Sequence, residues 1–197
     1  MKVKLIIGFF VILFCNQFNS AQTNISKIGL ETGFARNFQY DYGNADLYAI
    51  AYGVKVGGYL ASNSLEWELT LSYWQDEAKV RLPIQDRFTY SHYSKNIEIH
   101  LSYFSSEIII PLLFVAGFSS SFVNQNYVEG SSQSGHIYPD NSLVRFALDF
   151  GTGLYFKVNK KIRLNAVLLT KMPLNSDDNV IYKGWRSKIS IGIDYKF

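Results

Sequence analysis

Apolar and polar residues alternate with a period of two along almost the whole chain after residue 21, and charge falls on the same face as glycine and other small residues. In the first run Ile28, Leu30, Thr32 and Phe34 oppose Lys27, Gly29, Glu31, Gly33 and Ala35. In the second, Tyr48, Ile50, Tyr52, Val54, Val56 and Leu60 oppose small residues plus Lys55 and Tyr59. In the third, Leu65, Trp67, Leu69, Leu71 and Tyr73 oppose Glu66, Glu68, Thr70 and Ser72. The fourth sets Ile97, Ile99, Leu101 and Tyr103 against Asn96, Glu98, His100 and Ser102. The fifth is less regular, with Leu112, Phe114, Ala116 and Phe118 expected outward, Gly117, Ser119 and Ser121 inward, and Pro111 at the strand start. The sixth opposes Val144, Phe146, Leu148, Phe150, Leu154 and Phe156 to Arg145, Ala147, Asp149, Gly151, Gly153 and Tyr155. The seventh opposes Ile162, Leu164, Ala166 and Leu168 to Arg163 and Asn165. The eighth places Ile189, Ile191, Ile193, Tyr195 and Phe197 opposite Lys188, Ser190, Gly192, Asp194 and Lys196.

Which face is the inside follows from the chemistry. A soluble ligand-binding barrel buries its apolar face and shows its polar face to water. Here the polar face also carries the glycines, which suit a crowded lumen, and the other face is nearly unbroken Leu, Ile, Val, Phe and Tyr. That surface fits lipid. Within a bilayer every backbone group must be paired internally, and a closed barrel does this with strands. The connections agree. "ASNS", "FSSE" and "VNKK" are short, while Asn37 to Asp46, Gln75 to Ser91, Val123 to Asn141 and Asn175 to Gly184 read as long polar loops. Strict alternation of short and long is expected of short periplasmic turns and long extracellular loops. The expected fold is an all-β, eight-stranded antiparallel up-and-down transmembrane β-barrel over residues 22–197. Aromatics near run ends, Phe34, Tyr48, Tyr73, Tyr103, Phe156, Trp185 and Tyr195, are expected to form interfacial girdles.

Residues 1–21 have the layout of a secretory signal peptide: Lys2 and Lys4, an apolar run from Leu5 to Phe14, and a small-residue exit at Ser20 and Ala21. The run is too short to span a bilayer. Cleavage is expected after Ala21, leaving Gln22 first. Cys15 raises an acylated-lipoprotein reading, but Phe14 stands where such sites need a small side chain. Cys15 is the single cysteine, so the expected mature chain has no disulfide and no thiol nucleophile. The full chain has net charge +3, and losing Lys2 and Lys4 brings it near neutral. No basic stripe suggests nucleic acid.

The last strand, "SKISIGIDYKF", must close the barrel against the first and leave no edge. Its final Phe197 resembles the insertion signal that the assembly machinery of bacterial outer membranes reads. With the "NSAQ" exit and "LDFGTGLYFKVNKKIRLNAVL", the chain resembles the outer-membrane β-barrel domain family of Bacteroidetes-type bacteria. That family includes PorT-like proteins and is similar to the OmpA transmembrane barrel. In family members a proline often follows an "IEI"-like string; here His100 follows it, and proline appears later in "IIIPLL". The resemblance implies an outer-membrane location. Its PorT-like members imply a link to protein secretion.

An eight-stranded lumen is just wide enough for its own side chains. The inward charges Glu31, Lys55, Glu66, Glu68, Glu98, Arg145, Asp149, Arg163, Arg186, Lys188 and Asp194 are therefore expected to form a paired filling rather than an ion path. "SHYS" holds His92 and Ser94, which resemble the His-x-Ser motif of outer-membrane lipid A deacylases; Glu107 is the next acid in sequence. His92 and Glu107 are expected at opposite ends of the barrel, which argues against a triad. Asp177 and Asp178 could share a divalent cation with lipopolysaccharide, though a solvated turn accounts for them. No catalytic, cofactor-binding or metal-ligating set is expected. The expected role is non-enzymatic, structural or interaction-bearing, with a lipid A-modifying hydrolase or a secretion accessory as alternatives. Expected partners are outer-membrane lipid and lipopolysaccharide, the barrel assembly machinery through Phe197, and an extracellular or envelope protein.

Overall fold

The computed structural model describes residues 25–37, 48–60, 64–81, 87–105, 111–131, 141–175 and 184–197. The side chains of residues 37, 48, 76–81, 87–92, 127–131 and 141 are not among the described ones. Eight strands follow one another: β1 (Lys27–Asn37), β2 (Tyr48–Tyr59), β3 (Leu65–Arg81), β4 (Arg87–Phe104), β5 (Leu112–Ser131), β6 (Asn141–Lys157), β7 (Ile162–Pro173) and β8 (Arg186–Lys196). Each pairs antiparallel with its neighbours in sequence, and the sheet closes as β1 meets β8. That seam runs in continuous register from Lys27 opposite Lys196 to Asn37 opposite Arg186. The expected eight-stranded up-and-down barrel is the fold.

Closure pairs the first strand with the last, so the membrane wall itself has no edge. Period-two patterning does the rest. A one-residue slip of any strand would turn its charges outward and its aliphatic residues in, so register is strongly specified. Outward residues form the apolar belt: Ile189 is 61% exposed, Ile191 65% and Phe34 61%. Alternate residues point inward and are buried, among them Glu66, Glu98, Asp149 and Asp194. Pro111 lies just before β5, where its missing N–H costs nothing and its carbonyl accepts a bond from Tyr155 N at 3.1 Å. The turn after β6 is held by Asn159, whose Oδ1 accepts from the backbone of Lys161 and Ile162, both at 2.8 Å.

The second and third long connections differ from expectation. Of the expected loop Gln75 to Ser91, residues 75–81 and 87–91 are strand, since β3 runs on to Arg81 and β4 starts at Arg87; residues 82–86 lie outside the described ones. Likewise β5 continues past Val123 to Ser131. β2 stops pairing with β3 at Ile50 and Gln75, and β6 stops pairing with β5 at Asn141 and Gln125. Yet β3 and β4 pair on to Arg81 and Arg87, and β4 pairs with β5 on to Arg87 and Ser131 across an irregularity between Thr89 and Tyr90. β3, β4 and β5 therefore extend as a three-stranded sheet beyond the closed wall. The backbone ladder persists there although the apolar-out, polar-in contrast has ended. Residues 1–24, with the expected signal peptide and Cys15, and Glu107, Asp177 and Asp178 lie outside the described residues.

Candidate functional site

Among the described side chains, charge is concentrated in the lumen. Near the chain termini, call it the turn end, Glu66 of β3 accepts from three strands at once. Arg163 of β7 donates Nη1 to Oε1 and Nη2 to Oε2, both at 2.8 Å. Lys27 of β1 donates to Oε2 at 2.8 Å and Lys196 of β8 to Oε1 at 3.0 Å. Lys27 also reaches Glu68 at 2.8 Å. Arg163 turns its other edge to Asp194 at 2.7 Å, and Lys55 approaches the same carboxylate at 3.1 Å. Room for Lys55 comes from two glycines. A Cβ on Gly29 would lie 2.5 Å from Asp194 Oδ1 and 2.9 Å from Lys55 Cε. One on Gly192 would lie 2.5 Å from Asn165 Oδ1 and 3.0 Å from Lys55 Nζ.

A second network sits further along the lumen. Lys188 bridges Glu31 at 2.5 Å and Glu98 at 3.3 Å. Lys171 bridges Glu98 at 3.3 Å and Asp149 at 3.0 Å. Asp149 also takes His100 Nε2 and Ser119 Oγ, each at 2.9 Å. Ser72 donates to Glu98 at 2.7 Å while accepting from Trp74 Nε1 at 3.1 Å. Buried charge is tolerated only when paired and hydrogen-bonded, and here most carboxylates have two or more donors. Expected inward charges are therefore found inward, and Lys27, His100, Lys171 and Lys196 join them.

Sequence reasoning missed an apolar layer inside. Phe104, Leu113, Val115, Tyr155 and Leu169 form a buried cluster, with Phe104 and Tyr155 edge to face at 5.1 Å. Arg163 stacks over Phe104, its Cζ 4.0 Å from the ring centre. Leu113 and Val115 have the opposite parity to Leu112 and Phe114, which was the available signal. Beside this layer is a cavity of about 30 Å³, lined in part by Glu31, Lys55, His100, Asn165 and Asp194. It has room for a water or two and none for an organic substrate.

Glu98, His100 and Asp149 each offer a ligand atom, all within 4.8 Å of one another. The position a cation would take is already served by Lys171, which contacts both carboxylates. This geometry is that of an ion-pair network. Ser94 is fully buried and faces the lumen, and its hydroxyl has no hydrogen-bond partner. His92 lies in the β4 ladder opposite Asp76 and Gln125, but its side chain is not described, and neither is Glu107.

The outer wall completes the picture. Leu30, Tyr52, Val54, Leu71, Tyr73 and Ile97 line an open apolar groove over Gly53. Tyr52, Tyr73 and Tyr93 follow one another with ring centres 5.4 and 6.3 Å apart. Phe34, Tyr103, Phe156, Trp185 and Tyr195 are exposed near strand ends, as girdle residues require; the side chain of Tyr48 is not described.

A closed eight-stranded barrel with an apolar exterior and a charged, filled lumen defines the class: the β-barrel architecture of outer-membrane proteins. Solved structures agree. Neisserial surface protein A (NspA) matches with a TM-score of 0.59 and 16% identity over 90% of this chain and 100% of its own. OprG from Pseudomonas aeruginosa matches at 0.56, with 10% identity over 89% of this chain and 98% of its own. A major outer membrane protein from Thermus thermophilus matches at 0.54, with 12% identity over 88% and 100%. At these identities the likeness is one of fold. No protein-family model and no curated protein sequence matches the chain.

Proposed function

We propose that the chain is an integral outer-membrane barrel whose role is structural or interaction-bearing, carried by the part that projects beyond the lipid, and that it conducts no large ion flux. The observation that carries this is the extension of β3, β4 and β5 past the closed wall. Among the described residues, Asp76 to Arg81 of β3 and Asn126 to Ser131 of β5 have no strand beyond them on their outer sides. An open strand offers unpaired N–H and C=O groups that a partner chain can complete. In the lumen, most of the described carboxylates and cations are paired with each other. The belt takes outer-membrane lipid and lipopolysaccharide as its neighbours, with Lys95 beside Tyr73 at the level of headgroups.

Export by the leader at residues 1–21 and insertion by the assembly machinery, reading Phe197, complete this reading. Membership of the Bacteroidetes-type, PorT-like group rests on the glycine-rich sixth strand and the aromatic end; it would make the partner a component of a secretion apparatus.

Single cysteines at Lys79 and Val128, carrying a photo-crosslinker on intact cells, test the proposal. The expected result is a discrete adduct at one of these positions that disappears when residues 77–91 are replaced by a tight turn. Labelling of those cysteines only after the cells are broken would overturn the orientation, and absence of any adduct would overturn the interaction role.

A further inference from the structure

Each described cation at the turn end of the lumen meets a carboxylate, and at the loop end Arg145 meets none among the described residues. Arg145 of β6 points inward and is 6% exposed. Its Nη1 has no hydrogen-bond partner. The inward acid next along its own strand that could serve it, Asp149, is already taken by Lys171, His100 and Ser119. Another cation, Arg186 of β8, lies within electrostatic range of it. Arg186 is engaged by other groups and lies over the Trp74 ring with its Cζ 4.8 Å from the centre, so it brings positive charge to the same end. Lys171 and Lys188 also approach that ring, at 5.4 and 5.7 Å.

A buried guanidinium without an acceptor is costly, and a second guanidinium nearby raises the cost. The cost disappears when an anion takes the free edge. The row leading to Arg145 is suited to hold one. Ser121 is directly opposite Arg145 on β5, and Asn96 is directly opposite Ser121 on β4. Both are buried, polar and uncharged, so the row carries no opposing charge; the Ser121 hydroxyl can donate to an anion, while Asn96 turns its Nδ2 to Ser72. A guanidinium edge with its planar donors matches a tetrahedral or planar oxyanion, and the low dielectric of the lumen strengthens the bond.

We propose that the loop end of the lumen is a binding site for a small oxyanion, of the phosphate class, with Arg145 as its anchor and Ser121 lining it. The phosphate is either free in solution or carried on a lipopolysaccharide headgroup reaching over the rim. The site is independent of the protein interaction proposed for the β3–β5 extension.

The test uses the whole mature chain folded in a detergent without lipopolysaccharide. Inorganic phosphate is titrated by calorimetry, and the same titration is repeated with sodium chloride at matched ionic strength. Arg145→Met removes the charge while keeping the stem, and its folding is checked by heat-dependent gel mobility. Binding of phosphate with Arg145→Met weaker by about tenfold or more supports the site, because charge-assisted bonds are worth that much. If phosphate is silent but added lipopolysaccharide binds, with the same loss in Arg145→Met, the headgroup is the source and the site stands. Binding unchanged in a folded Arg145→Met protein overturns the assignment. An equal effect of chloride and phosphate reduces it to screening and overturns it as well, as does silence to both ligands. Lys95→Gln, on the outer wall, is the control expected to leave phosphate binding unchanged.

Discussion

Arg163 on β7 and Glu66 on β3 meet across the lumen in a two-pronged pair, Nη1 to Oε1 and Nη2 to Oε2, both at 2.8 Å. The two residues are 97 positions apart in sequence, and no strand joins them. This pair ties opposite walls together, and Lys27 and Lys196 converge on the same carboxylate. Removing Glu66 leaves Lys27 with Glu68 and Arg163 with Asp194, and takes from the buried Arg163 its two-pronged acceptor. Glu66→Ala is expected to cost about 3–5 kcal/mol, as breaking one side of a buried pair does. Lys196 is more exposed at the rim, so Lys196→Met is expected to cost about 1 kcal/mol or less. Denaturant unfolding of the barrel in lipid vesicles measures both, and equal losses would show that Glu66 is not the hub.

The same cross-lumen bonds bear on permeation. Lys188 reaches from β8 to Glu98 on β4, and Lys171 reaches from β7 to the same carboxylate. Together with the apolar layer around Phe104 and Leu169, they fill the lumen around a cavity of about 30 Å³. Purified protein in planar bilayers is expected to show no large, steady conductance. Stable porin-sized steps from a monomer would mean that the lumen does not stay packed in this way.

Much of this was readable in the sequence, and the reason is the lipid. Where one face meets hydrocarbon, alternation must be strict, so Ile189, Ile191 and Ile193 against Lys188, Ser190 and Gly192 assign themselves. Beyond the lipid that constraint lapses. Gln75 to Arg81 and Arg87 to Ser91 look like polar loop, although the two strands continue to pair with each other, Ala78 and Val80 opposite Tyr90 and Phe88. Leu113 and Val115 share the inward parity of Gly117, Ser119 and Ser121, but "LLFV" is apolar on both faces, so nothing in the run marked them as part of an apolar layer inside. Which inward charge meets which is a matter of barrel geometry. A separation of 97 residues between partners leaves no local trace.

The chain end separates two roles. Phe197 is 65% exposed, and its backbone N–H donates to Ser26 at 3.1 Å. Its ring lies beside Tyr195, at 6.2 Å between centres. Deleting it therefore removes little packing, and folding of purified chain into detergent is expected to proceed as before. Insertion in cells is expected to fall, with chain lost to periplasmic proteases, because the assembly machinery loses its terminal aromatic. Equal insertion of both forms in cells would remove Phe197 from that role. Impaired folding of the purified chain would make its role structural.

Ser94 and Ser72 give the last prediction, since they are neighbours in the lumen with opposite bonding. Ser72 donates to Glu98 and accepts from Trp74 and Asn96. Ser72→Ala leaves a buried carboxylate and two donors short of a partner, and is expected to cost about 1–3 kcal/mol. Ser94 is equally buried, but its hydroxyl bonds nothing, so Ser94→Ala is expected to be neutral or slightly stabilising. The same variant tests the hydrolase alternative. A serine nucleophile needs a base and an orienting acid within hydrogen-bond reach, and it must meet its substrate. Ser94 faces the lumen, while the acyl chains of lipid A lie against the outer wall. Lipid A from cells carrying Ser94→Ala or His92→Ala is expected to match that from cells with the unaltered chain by mass spectrometry. An acyl chain retained only in the Ser94→Ala cells would make Ser94 a nucleophile and reverse the non-enzymatic reading.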